Sequence, residues 1–92
     1  MIPIYKDNVG LILKKAAGQI RLLEKMLAED RHCLDIAQQI NAAIGLLKQA
    51  NQAILENHLL TCGAHELQGK NLARKKKFVD ELTRVFQVAN RK

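Results

Sequence analysis

Apolar residues recur at steps of three and four along three separate stretches of the chain, the pattern of helices that bury one face. In the first stretch, from about Asp7 to Glu29, the residues Val9, Ile12, Ala16, Ile20, Leu23 and Leu27 fall on one stripe. Asp7 or Asn8 is suited to cap its start. Glu29-Asp30-Arg31 makes a polar break, with Asp30 placed to cap the next element. The second stretch runs from about Arg31 to Cys62. Leu34, Ala37, Ile40, Ile44, Leu47, Ile54 and His58 share its stripe, which Leu55 and Leu59 widen. No Pro interrupts these 32 residues, so the pattern predicts one long helix. Gly45 near its middle is small enough for close helix approach, and Gly63 is a fitting stop. Ala64 to Asn71 reads as a connection. The third stretch, from about Leu72 to Ala89, sets Phe78, Leu82, Val85, Phe86 and Ala89 on one face, and the tail from Asn90 to Lys92 reads as frayed.

The fold class is therefore all-α, with three helices per chain. Composition agrees: 48% of residues are hydrophobic but only 3% aromatic, so the core is built from Leu, Ile, Val and Ala. A single Pro and five scattered Gly leave out the punctuation of hairpins. At 92 residues the chain holds one domain, residues 1–92. A 32-residue helix spans roughly 48 Å, too long for two shorter helices of the same chain to cover. Pairing with a second copy in an antiparallel bundle, under two-fold symmetry, covers it.

Fifteen Lys and Arg against nine Asp and Glu give a net charge of +6, which favours a polyanionic partner, nucleic acid or an anionic membrane surface. A soluble protein that is merely basic is the plain alternative. No apolar run approaches the roughly 20 residues of a membrane span, and two Cys behind no signal peptide point to a reducing, cytoplasmic setting. The cations form two groups. Lys14, Lys15, Arg21 and Lys25 decorate the first helix, and Arg74-Lys75-Lys76-Lys77 opens the third. Positive charge at a helix N-terminus opposes the macrodipole, so that run either has a use or is a solvated cluster.

Cys33, His58 and Cys62 are the candidate chemistry. His58 and Cys62 stand at i and i+4 and project from one helical face. Cys33 lies 25 residues before His58, roughly 37 Å along an unbroken helix, so the three cannot meet within one chain. In an antiparallel dimer Cys33 of one chain can face His58 and Cys62 of the other. Two thiolates and an imidazole form a soft set that suits Cu(I). Structural Zn takes four ligands, and His32 or His65 can supply a fourth. The plain alternative is that the Cys are small buried hydrophobes and His58 a hydrogen-bonded core residue. No Gly-rich phosphate loop, paired-carboxylate cleft or oxyanion site accompanies these residues, which argues against an enzyme.

Three stretches resemble the CsoR family of metal-responsive repressors. They are Gly18-Gln19-Ile20 ahead of Met26-Leu27, Cys33-Leu34-Asp35 leading to Gln39-Ile40, and Asn57-His58-Leu59 with Thr61-Cys62. The spacing of Cys33, His58 and Cys62 is that of the family's copper-type members, and the likeness covers nearly the whole chain. The resemblance implies an antiparallel four-helix-bundle dimer that doubles into a homotetramer. It also implies operator DNA bound through basic faces, the first-helix cations Lys14, Lys15, Arg21 and Lys25 among them. For copper-type members it further implies that Cu(I) is held across the dimer interface, here by Cys33, His58 and Cys62. Glu81 matches a third-helix glutamate that supports the ligand histidine. His32 stands where the family often carries Tyr ahead of the first Cys.

Other branches fit less well. Nickel and cobalt sensors recruit a His near the N-terminus, and none precedes His32. Persulfide sensors lack the histidine that is present as His58. Formaldehyde sensors expose an N-terminal Pro, whereas bulky Ile2 after Met1 keeps Pro3 internal. The chain also departs from the pattern: Ile12, Gln49 and Gln52 stand where Arg is usual, so fewer counterions would be released on DNA. The expectation is a Cu(I)-responsive repressor that binds operator DNA metal-free and releases it on metal binding. The alternatives are a persulfide or thiol-redox repressor of the same fold, or a copper-binding helical dimer with no DNA role.

Overall fold

A computed structural model describes residues 1–63 and 68–89, the side chains of residues 62, 63 and 87–89 excepted. Its helices are α1 (Pro3–Ala28), α2 (Cys33–His58) and α3 (Leu72–Ala89). A π-helical turn, Leu59–Gly63, prolongs α2. No strand occurs among the described residues.

The first helix begins a turn earlier than its polar residues suggested. Pro3 sits at its first position, where a missing N–H is no loss and the fixed φ suits a helix. Asp7 and Asn8 lie inside the helix and cap nothing; Ile2 is the cap residue and offers no side-chain bond to the first turn. At the other end, Asp30 ends α1 instead of starting α2. Its φ of 53° is left-handed. The Arg31 N–H donates to the Met26 carbonyl at 3.0 Å and the Asp30 N–H to the Leu27 carbonyl at 3.2 Å, closing a Schellman motif.

His32 then caps α2, its Nδ1 accepting the Leu34 N–H at 3.1 Å. Asp35 in the first turn complements the helix dipole. The helix expected from Arg31 to Cys62 is shorter at both ends: His32 caps it, the regular α-helix runs from Cys33 to His58, and a π turn follows. The Thr61 hydroxyl donates to the Asn57 carbonyl at 2.9 Å, competing for the acceptor that a regular helix gives to its own N–H. Asn71, unremarked in the sequence, caps α3 by accepting the Arg74 N–H at 3.2 Å.

Helices α1 and α2 form an antiparallel hairpin. The α1 stripe closes over α2 through Val9, Ile12, Ala16 and Met26, while Ile20 and Leu27 remain exposed. What α2 offers in return is not its large residues but Ala43, Ala50, Ala53 and Asn57. Val9, Ile12, Ala50 and Ala53 make the core, with Tyr5, Leu46 and Ile54 against it. The expected α2 stripe is left largely uncovered: Leu34, Ile40, Ile44 and Leu47 are 44–65% exposed. Small side chains let two helix axes approach, so the alanine face takes α1. Gly45 plays no such part, for a Cβ there would meet nothing within 4 Å.

The result is a slab 58 × 29 × 13 Å, little more than one helix thick. Its radius of gyration is 17.4 Å, against about 12 Å for a compact domain of this length. Its accessible surface is 7243 Å², about a third above the value usual for this mass.

Candidate metal centre and cationic face

Cys33 and His58 are the first and last residues of α2. The regularity of that helix sets them roughly 37 Å apart, because each residue advances about 1.5 Å. Cys33 is exposed and a free thiol. It stands beside His32, whose Nδ1 is committed to the Leu34 N–H. Cys62 lies in the π turn at the His58 end. The structure thus brings His58 and Cys62 to one end of the hairpin and leaves Cys33 at the other. Among the described residues no three His, Cys, Asp or Glu side chains gather as a metal-binding group. His65, the alternative fourth ligand, lies outside the described residues.

His58 is half-buried and stacked on an aromatic neighbour, Phe78, whose spacing in α3 marks it only as part of an apolar stripe. Phe78 is 6% exposed. Its ring lies 5.2 Å from the imidazole, at an interplanar angle of 22°. Stacking fixes the face of the imidazole and leaves its nitrogen-bearing edge for other partners. Glu81, the expected support for His58, lies three residues beyond Phe78 on the same face of α3, with Arg74 and Lys77 beside it. It is exposed. Neither nitrogen of His58 is hydrogen-bonded among the described residues, to Glu81 or otherwise.

The donor chemistry fits a soft, low-coordinate ion. As ligands, Cys33 and Cys62 would supply two thiolates and His58 one imidazole, a set that would favour Cu(I) over hard cations. A single chain meets this demand at neither end.

The first-helix cations divide by face. With about 100° per residue, Lys14, Arg21 and Lys25 lie opposite the buried stripe and point outward together. All three are exposed. Lys25 touches Glu29 at 3.9 Å, a weak exposed pair that a phosphate can displace. Lys15 stands on a flank of the helix instead, lining a groove with Gln49, Gln52 and Glu56 of α2. In α3 the run Arg74 to Lys77 does open the helix, as its sequence position implied. No helix among the described residues is long and apolar enough to cross a membrane.

Comparison with known proteins gives these residues a context. The model of the metal-sensitive transcriptional repressor family matches residues 5–88. The copper-sensing transcriptional repressor RicR of Mycobacterium tuberculosis is 35% identical over 57 residues, 62% of this chain and 59% of its own length. The copper-sensing repressor CsoR of Mycobacterium ulcerans is 38% identical over 71 residues, 76% of this chain and 57% of its own. CsoR of Bacillus subtilis is 35% identical over 63 residues, 68% of this chain and 62% of its own. The matches thus span 57–62% of those relatives. No solved structure matches the chain.

Proposed function

The chain belongs to the metal-sensitive transcriptional repressor family, and from that premise we propose that it is a Cu(I)-responsive repressor. It binds operator DNA as a metal-free homo-oligomer and releases it when metal binds. The observation that carries the reading is the placement of Cys33 and His58 at opposite ends of one 26-residue helix. A ligand set of Cys33, His58 and Cys62 then requires two chains. In an antiparallel pair of hairpins, Cys33 of one protomer comes to His58 and Cys62 of the other, twice by symmetry.

The apolar surface supports the same pairing. Ile44 and Leu47 of α2 join Val9 and Leu13 of α1 in a mainly apolar groove that Lys48 and Asn51 also line. A second copy would bury it and turn the slab into a four-helix bundle; doubling into a tetramer follows the family pattern. Cu(I), when bound, supplies a cation whose three soft bonds join two protomers. The chain's residues do the rest. Cys33 and Cys62 give thiolates, Phe78 holds the imidazole plane, and His32 holds the turn that presents Cys33. Zn would need a fourth donor, and His32 could serve only by giving up the Leu34 N–H that its Nδ1 accepts, since its other nitrogen then carries the ring proton.

DNA would lie against Lys14, Arg21 and Lys25, with Lys15 at the edge. Such binding is driven by counterion release and weakens steeply with salt. The release of DNA requires that metal favour a different arrangement of the protomers, and reciprocity then requires DNA to weaken metal binding equally. A repressor of this family carries out no catalysis.

Fluorescence anisotropy on duplex DNA from the promoter upstream of the protein's own gene, titrated anaerobically with Cu(I), tests the reading. Wild type should bind and be released by one Cu(I) per chain. Cys33→Ala and His58→Ala should bind equally well and stay bound. DNA binding with no copper response would move the inducer to persulfides, with Cys33 as the exposed thiol. Cu(I) binding without DNA binding would leave a copper-holding helical dimer.

A further inference from the structure

One side chain ties the ligand end of α2 to the start of α1. Asn57 is the buried polar residue of the described chain, 8% exposed. Its Oδ1 accepts the backbone N–H of Ile2 at 2.9 Å, across 55 positions of sequence. Ile2 caps α1 without a side-chain bond of its own. Its carbonyl takes the N–H groups of Tyr5 and Lys6, both at 3.0 Å. The entry of α1 is therefore held from outside, by the residue next to His58. The Asn57 carbonyl is committed as well, accepting the Thr61 hydroxyl at 2.9 Å where the π turn begins. Isolated π turns often mark functional positions.

We infer that Asn57 is a positioning residue that couples the His58–Cys62 turn to the seating of α1. The inference rests on the sensor reading and adds its transmission. Metal–ligand distances are short and tolerate little error. Once His58 joins a thiolate from another protomer, the turn must adjust to that geometry. Asn57 moves with the turn, and its bond to Ile2 weakens. Helix α1 is a rigid rod of 26 residues, so re-seating its first turn shifts Lys14, Arg21 and Lys25 as one body. Two packed arrangements separated by a small shift are the usual means by which a local change becomes a switch. DNA held on α1 in turn favours the Asn57–Ile2 bond and disfavours metal engagement.

The test measures operator-DNA dissociation constants with and without Cu(I), for wild type, Asn57→Ala and Asn57→Asp. The ratio of the two constants should fall about fivefold in Asn57→Ala, which loses the acceptor, and stay near wild type in Asn57→Asp, which keeps one. The unaltered protein gives a second readout by NMR. Exchange of the Ile2 amide should speed about tenfold on Cu(I) addition, as its bond opens. An Asn57→Ala ratio equal to that of a copper-responsive wild type overturns the inference alone. So does an Ile2 amide indifferent to Cu(I), even should the variant fail to fold. A wild type whose DNA binding ignores Cu(I) overturns the sensor reading and this inference together.

Discussion

Two grooves flank the seam between α1 and α2, and they differ in kind. One is lined mainly by Val9, Leu13, Ile44, Leu47 and Ile54, with Lys48 and Asn51 among them. The other is lined by Asn8, Lys15, Gln49, Gln52 and Glu56 around a narrow apolar floor. Water solvates the second without cost. It solvates the first poorly, at about 25 cal/mol for each Å² left exposed. On the α2 side the seam is made largely by alanines, so Ile40, Ile44 and Leu47 are not used up within the chain. The difference separates two tasks: one flank suits a second copy, the other a polar partner.

The strongest way to break this contrast is to make the apolar groove polar. Leu47→Asp should cost the pairing at least about 3 kcal/mol per dimer, through lost burial and a desolvated carboxylate. Sedimentation should then show monomers where wild type sediments as an oligomer, and DNA binding should fall with it. An unchanged sedimentation coefficient would place the pairing surface elsewhere. A smaller effect should come from the polar groove, where Gln52 stands beside Lys15. Gln52→Arg should tighten DNA binding about tenfold at low salt for each DNA-facing chain, and steepen the log–log salt slope by about 0.9 per such chain, one added phosphate contact each. Binding that does not respond would remove this groove from the DNA face. The smallest effect belongs to the turn that sets both grooves. Asp30 is left-handed at φ 53°, a conformation that Gly adopts without a Cβ penalty. Asp30→Gly should therefore stabilise the hairpin by about 0.5–1 kcal/mol, visible as a higher melting temperature at fixed protein concentration.

The helices were legible because apolar period survives any tertiary detail. Ends were less so. Asp7, Asn8 and Asp30 look like caps, yet α1 starts at Ile2 with Pro3 as its first residue and α2 is capped by His32, because a preset φ and a ring nitrogen serve as well as a carboxylate. The α2 stripe of Leu34, Ile40, Ile44 and Leu47 has the pattern of a pairing face, and its exposure leaves it available for that. What hydrophobicity ranking hid was the alanine face, which α1 covers. Asn57 escaped for the same reason. It follows Ala50 by seven and Ala53 by four, so it shares their buried face, but a polar residue does not register in an apolar stripe. Cys33, His58 and Cys62 stand out in the sequence as a candidate set, which type and spacing leave open and the resemblance to copper-type repressors favours. The Phe78 stack does not stand out, because it joins α2 to α3 across a connection that periodicity does not orient.

The central claim is that the ligand set is shared between two chains, and mixing variants tests it most directly. Neither Cys33→Ala nor His58→Ala alone keeps an intact set. Co-expressed chains, one of each, restore one set per mixed dimer if Cys33 of one protomer works with His58 and Cys62 of the other. Purified mixed dimers should bind one Cu(I) with wild-type affinity by competition against a chelator. Mixed dimers as inert as the parent variants would contradict the shared site.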